Sequence, residues 1–266
     1  MPVRMLASVL SASAALCGGC HLMNLAPQEK FEPQTASVWR TPAPVIVDGR
    51  LDDPAWSSAP EYEMMANHDP TAGVGPYQTT VRLLYDDARL YIAFRCSDPH
   101  VWSTFAKHDE HLYREEVVEA FLCPSGNLKE YYELQASPFG VTFDAKVGNR
   151  KGDGGTARDL VGPDFAWTCT GFQAKAAILN GSGNRSRAGS ARAEGWTVEM
   201  AIPFASIPGG PHTPPQPGDV WRAGLYRIER PAEGPDLYLA FSPTLTRPAN
   251  RPDFHRPGRF GTLWFR

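Results

Sequence analysis

The sequence predicts an all-β fold, an antiparallel β-sandwich of jelly-roll type with long loops. Three observations predict it. Apolar and polar residues alternate with period two in short runs, turn residues separate the runs, and no long amphipathic helix interrupts them. The 25 prolines and 24 glycines reinforce the reading, because helix interiors tolerate neither residue well.

Taken along the chain, the first 20 residues read as an export signal. Arg4 supplies a positive start, and residues 6–16 form a small-residue apolar core too short to span a membrane. The core ends in Leu16-Cys17-Gly18-Gly19-Cys20, two small residues before a cysteine, which resembles a bacterial lipobox with Cys20 as the lipid-attachment residue. The expected location is therefore the cell envelope, with the chain exported and held to a membrane through an N-terminal lipid. Residues 21–40 carry Pro27, Gln28, Glu29, Lys30, Pro33 and Gln34 with little periodicity and are expected to be a flexible tether. The folded domain is expected over 41–266.

Within that domain, Thr80-Val-Arg-Leu-Leu-Tyr85, an Asp86-Asp87 turn and Arg89-Leu-Tyr-Ile-Ala-Phe94 read as a hairpin. A second hairpin runs from Glu116-Val-Val-Glu-Ala-Phe-Leu122 through Ser125-Gly126-Asn127 to Lys129-Glu-Tyr-Tyr-Glu-Leu-Gln135. Gly195-Trp-Thr-Val-Glu-Met-Ala-Ile-Pro203 alternates most clearly, with Trp196, Val198, Met200 and Ile202 on one face. Further strands are expected at 141–147, 172–179, 220–229, 237–241 and 260–265. The polar, low-complexity stretch 180–190 reads as a hairpin loop, and 208–218, with five prolines, as a rigid connection.

Charge narrows the function. A formal net charge of -3 gives no basic stripe to displace counterions from phosphate, so nucleic acid is not an expected partner. Past residue 20 the cysteines are Cys96, Cys123 and Cys169, an odd number that excludes a fully paired disulfide framework. They read as buried small hydrophobes, with one bridge left open.

The segment Val45-Ile-Val-Asp-Gly-Arg-Leu-Asp-Asp-Pro-Ala-Trp56 resembles the opening of family 9 carbohydrate-binding modules. The hairpin over 81–94, Glu115-Glu-Val-Val-Glu-Ala-Phe121, the 195–204 strand and the closing 254–263 match in order, so the resemblance covers nearly all of 42–266. It implies a sandwich with a sugar slot at its edge, no required cofactor, and structural calcium. It also implies polysaccharide or oligosaccharide as the partner. Two rings clamp the sugar in that family, and a carboxylate bonds its hydroxyls. By resemblance the first ring falls at Tyr113, the carboxylate at Glu119, and the second ring at Phe254 and His255. Both rings are usually tryptophan in the family. Its basic residue on the next strand falls near Tyr132-Glu133, where this chain has no arginine.

Each residue has a plainer reading beside the functional one. Tyr113 can pack as a loop tyrosine, Glu119 can be a solvated strand residue, Phe254 can be core and His255 can cap a loop. Arg227, in mid-strand among apolar residues, is counted with the cleft, while a buried ion pair is an equal alternative. The run His108-Asp-Glu-His111 lacks a third nearby histidine for a transition metal, and Asp86-Asp87, Asp98 and Asp109 are oxygen-rich turns suited to calcium. A glycosidase would need two placed carboxylates, which 29 acidic residues supply by chance. A haem-binding electron carrier on a related sandwich would draw on Met64, Met65 and His68. A non-catalytic binding module is the leading expectation.

Overall fold

The computed structural model describes residues 31–246 and 252–266. The export signal, Cys20 and the first part of the expected tether lie outside the described residues. Residues Pro33–Arg266 form one compact unit.

Fourteen strands are described: β1 (Thr35–Arg40), β2 (Tyr62–Glu63), β3 (Met65–Ala66), β4 (Thr79–Tyr85), β5 (Arg89–Ser97), β6 (Val117–Cys123), β7 (Glu130–Ala136), β8 (Thr142–Asn149), β9 (Leu160–Asp164), β10 (Gln173–Leu179), β11 (Gly195–Pro203), β12 (Val220–Glu229), β13 (Leu237–Ala240) and β14 (Gly261–Phe265). Eleven of them follow one hydrogen-bonded path, β10-β11-β5-β4-β1-β14-β12-β6-β7-β8-β9, curled so that its two halves face each other, while β2 pairs with β4, β13 with β12 and β3 with β13. Every pairing is antiparallel except those of β1, which runs parallel to both neighbours. All the sequence-expected strands from 80 onward form, within one to three residues of their expected bounds. The 45–49 segment is irregular, and β9 was not foreseen.

The tether expected over 21–40 is corrected at its C-terminal end. Thr35–Arg40 is β1, and it joins the two halves: residues 35–38 pair with β14, then Trp39 and Arg40 pair with β4. Ala36 and Val38 point inward and are fully buried, which gives the strand its physical reason to form.

Between the halves, Val81, Leu83, Ile92 and Phe94 from one sheet meet Val118, Ala120, Leu122, Leu134 and Leu225 from the other. Phe265 packs edge-on against both Tyr85 and Trp221, closing one end. Met64 belongs to this core, so its own thioether is spent on packing. Cys96, Cys123 and Cys169 are buried free thiols. Cys123 faces the outer cluster, and the other two face the inter-sheet core.

The opening motif is explained by one carboxylate on β11. Glu199, 1% exposed, accepts from the backbone N–H groups of Asp48 and Gly49 at 2.9 and 2.8 Å and from the Trp56 indole at 2.7 Å. Gly49 has φ +90°, and a Cβ there would meet the Ala176 backbone at 2.7 Å. Glycine is demanded by both the left-handed backbone and the close approach. Trp56 then joins Val45, Leu84, Tyr91 and Ala201 in a small outer core.

Candidate functional site

A strand alternates its side chains, so the face of β6 opposite the core carries Val117, Glu119 and Phe121. Tyr226 on β12 lies across from Glu119, and Glu133 on β7 lies across from Phe121. This outer face does not open flat to solvent. The loop before β6, the segment after β9 and residues 252–255 rise around it and enclose a cavity of about 430 Å³. Glu119, Phe121, Glu133 and Ile228 floor it, and Tyr113, Phe165, Tyr238, Phe254 and His255 stand around it.

Tyr113 sits in a single helical turn, Leu112–Arg114, anchored by fully buried Leu112. Its backbone carbonyl accepts from Arg230 Nη2 at 2.7 Å, and its ring, 43% exposed, lies 5.6 Å from that of His111. The preceding loop is tied down by Glu115, which accepts from Ser103 Oγ and from the Thr104 N–H. On the opposite wall Phe254 stacks on Tyr226, with centroids 4.1 Å apart and planes at 6°. His255 Nδ1 is 2.7 Å from the Tyr131 hydroxyl, and its ring lies 5.1 Å from Phe121. Phe165, 56% exposed, leans on Phe143 from the third side.

The structure thus brings Tyr113, Glu119, Phe254 and His255 to one cavity, although Phe254 is 7% exposed and mostly packed as core. Arg227 is corrected. Its neighbours Tyr226 and Ile228 face outward, so it points to the opposite side of β12 and is fully buried there. It donates to Thr79 Oγ1 at 2.9 Å and the Ser97 carbonyl at 3.0 Å, and pairs with Asp98 and Glu229. The guanidinium that lines the cavity is that of Arg230, three residues on and just past the strand end.

Sequence reading also missed Glu133, Phe165 and Tyr238 as cavity residues. Glu133 occupies the strand where the family's basic residue is missing, so a second carboxylate stands beside the first. Burial, and then the neighbouring Glu133 charge, push the Glu119 carboxyl well above the usual carboxylate range, with Arg230 opposing. Burial likewise raises Glu133, against His255 and a 2.6 Å hydrogen bond from the Gln135 amide.

Among the described residues, two carboxylate-containing clusters lie elsewhere. His108 Nε2 is 3.3 Å from Asp109 and 3.6 Å from Asp144, while its Nδ1 is 2.9 Å from the Thr142 carbonyl. His111 is not part of this group; it lines the cavity instead. The second cluster is Asp98, Glu116 and Glu229, all fully buried beside Arg227, with ligand atoms within 4.8 Å of one another. One guanidinium faces three carboxylates there. Glu116 Oε1 and Glu229 Oε1 have no hydrogen-bond partner. Carboxylate oxygens are the donors that calcium takes, and these three side chains supply part of the six to eight it needs, while burial pushes Glu116 and Glu229 up, Glu229 to about 8.

Residues 47–220 match the family described as carbohydrate family 9 binding domain-like. The chain belongs to that family. Three solved structures share the fold. A carbohydrate-binding protein of Bacteroides uniformis, so described provisionally, has 16% identity and TM-score 0.64, with 88% of this chain and 100% of that one covered. A family 9 carbohydrate-binding module from Caldicellulosiruptor kristjanssonii in complex with cellotriose has 15% identity and TM-score 0.56, covering 88% and 94%. One from the same organism in complex with glucose has 16% identity and TM-score 0.52, covering 86% and 95%. No curated protein matches the chain.

Proposed function

We propose that the chain binds a saccharide without cleaving it, seating a sugar unit in the cavity between Tyr113 and the Phe254–His255 wall with Glu119 on its hydroxyls. The observation that carries this reading is the convergence of exposed rings and a buried carboxylate with a free oxygen in one pocket. A sugar ring has an apolar C–H face, which an aromatic wall covers, and a rim of hydroxyls, which donate to a carboxylate. Family membership and neighbours bound to cellotriose and glucose support it. Glu119 and Glu133 lie on adjacent strands of one floor, on the same side of any ligand. A glycosidase pair flanks the scissile bond, so this placement favours binding over hydrolysis.

Rings burying roughly 100 Å² of apolar surface contribute about 2.5 kcal/mol. Hydrogen bonds to a charged carboxylate add about 1.5–3 kcal/mol each, and lost rotation offsets much of it. Dissociation constants of roughly micromolar to millimolar follow. The test is a glycan array on the full chain, followed by titration of Tyr113→Ala. The variant should bind about tenfold more weakly at an unchanged melting temperature, because the ring is half exposed and carries little of the core. A parent chain retained by no glycan, or a Tyr113→Ala variant binding as well as the parent, removes the reading.

We also propose export and lipid attachment at Cys20, on the strength of the lipobox-like sequence. Cys20→Ser should move the protein from membrane to soluble fractions; persistence in the membrane counts against it. Structural calcium is proposed at Asp98, Glu116 and Glu229, where the ion would neutralise the excess buried charge.

A further inference from the structure

We infer that the cavity selects a sugar bearing a basic nitrogen, an amino sugar whose ammonium group is countered by Glu119 and Glu133. This rests on the saccharide reading and names the ligand class for the same cavity.

The argument is one of unspent charge. Three lining carboxylates, Glu119, Glu133 and Asp253, face one lining guanidinium, that of Arg230. Arg230 spends two of its three nitrogens, Nη1 on Asp236 and Nη2 on the Tyr113 carbonyl, and its Nε, buried without a partner, is no match for two carboxylates. Asp253 has its own donors, the backbone N–H groups of Ala157 at 3.0 Å and His255 at 2.9 Å. Of the two histidines lining the cavity, His255 spends Nδ1 on the Tyr131 hydroxyl, and His111 stands beside Tyr113 at the rim. Glu119 and Glu133 remain. Glu119 is 2% exposed, and its Oε1 meets no donor among the described residues. Glu133 receives a single amide from Gln135.

A buried carboxylate without donors is costly, and a neutral sugar corrects only half of the deficit. Burial and mutual repulsion push both carboxyls toward holding a proton, and hydroxyls bring no positive charge that would let the pair ionise. An ammonium group supplies several N–H donors together with a positive charge. Of the wall rings, Tyr113 and Tyr238 already have a guanidinium nearby, Arg114 at 5.9 Å and Arg230 at 6.0 Å, which leaves the exposed Phe165 to attract a cation as well as cover a sugar face. An acidic sugar would meet repulsion from the floor.

The test is isothermal titration of the purified full chain, near neutral pH, with three β-linked disaccharides that differ only at C2. They are the fully deacetylated glucosamine disaccharide, its N-acetylated form and cellobiose. The ammonium form should bind roughly tenfold to a hundredfold more tightly than the other two. Glu119→Gln keeps the shape and removes the charge, so it should erase that advantage while the melting temperature holds or rises. Equal affinity for all three sugars overturns the ammonium inference and leaves saccharide binding standing. Failure of all three to bind overturns the ammonium inference, and the glycan array then decides whether saccharide binding falls with it. An ammonium preference that survives in both Glu119→Gln and Glu133→Gln places the cation elsewhere and overturns the inference as well.

Discussion

Arg227→Met should lose about 3–5 kcal/mol of stability, the size expected when one partner of a buried ionic cluster is removed. The side chain is fully buried, and its Nη atoms reach Thr79 Oγ1 and the carbonyls of Tyr77 and Ser97 besides the two carboxylates. These contacts link β12 to β4 and β5, which belong to the facing half of the sandwich. Methionine fills much of the volume and provides none of the charge. Asp98, Glu116 and Glu229 would then share one buried site that has lost the guanidinium paired with two of them. Urea unfolding measures the loss as a lower midpoint at constant slope. The exposed pair Arg40–Asp87 is the control, because ion pairs open to water contribute about 0–1 kcal/mol. If Arg227→Met unfolds at nearly the same urea concentration as Arg40→Ala, the central place given to Arg227 is wrong. A stable variant that had lost only ligand binding would return Arg227 to the cleft.

The reassignment of Arg227 shows what a single sequence holds. Period-two alternation made the strands legible, and it fixed which residues share a face within each strand. It sets Glu119 on the face opposite Val118 and Ala120, and the structure has it so. Alternation does not say which face of one strand continues a given face of another. That depends on register, and register here has Tyr226, not Arg227, beside Glu119. Once Tyr226 is fixed outward, Ile228 and Arg230 follow and Arg227 turns inward.

Other misses have the same physical origin. Thr35–Arg40 has only Ala36 and Val38 on its buried face, too little pattern to separate from a tether. Its strand character comes from partners at the far end of the chain, β14 and β4. Phe165 follows β9, a short strand carrying Gly162 and Pro163 with no alternation, and it reaches the cavity only because β9 pairs with β8. Tyr113 and His255 were found through motif position. Their meeting across the cavity is a product of the long loops, which local patterning leaves undetermined.

Calcium should raise the melting temperature of chelator-stripped protein by roughly 5–10 °C. A ligand present at about a hundred times its dissociation constant stabilises by about 2.7 kcal/mol. In a domain of this size each 1 kcal/mol is worth roughly 2–4 °C. The reason lies in the same cluster that needs Arg227. Glu116 accepts one backbone N–H, from Trp102 at 3.0 Å, and Asp98 accepts one from His100 at 2.8 Å. Together with the guanidinium these donors leave two buried carboxylate oxygens without partners. A divalent cation would supply the missing charge. Magnesium, which demands a tight octahedral shell and gives up water reluctantly, should stabilise less. Glu116→Gln separates this account from general ionic effects. The amide removes one excess charge, so the stripped variant should melt no lower than the stripped parent, yet it should gain little from calcium. Asp144→Asn, at the surface cluster with His108 and Asp109, should leave the calcium increment intact. An increment that vanishes with Asp144→Asn and survives Glu116→Gln would move the ion to that cluster, and a parent indifferent to calcium would mean that Arg227 and bound protons suffice.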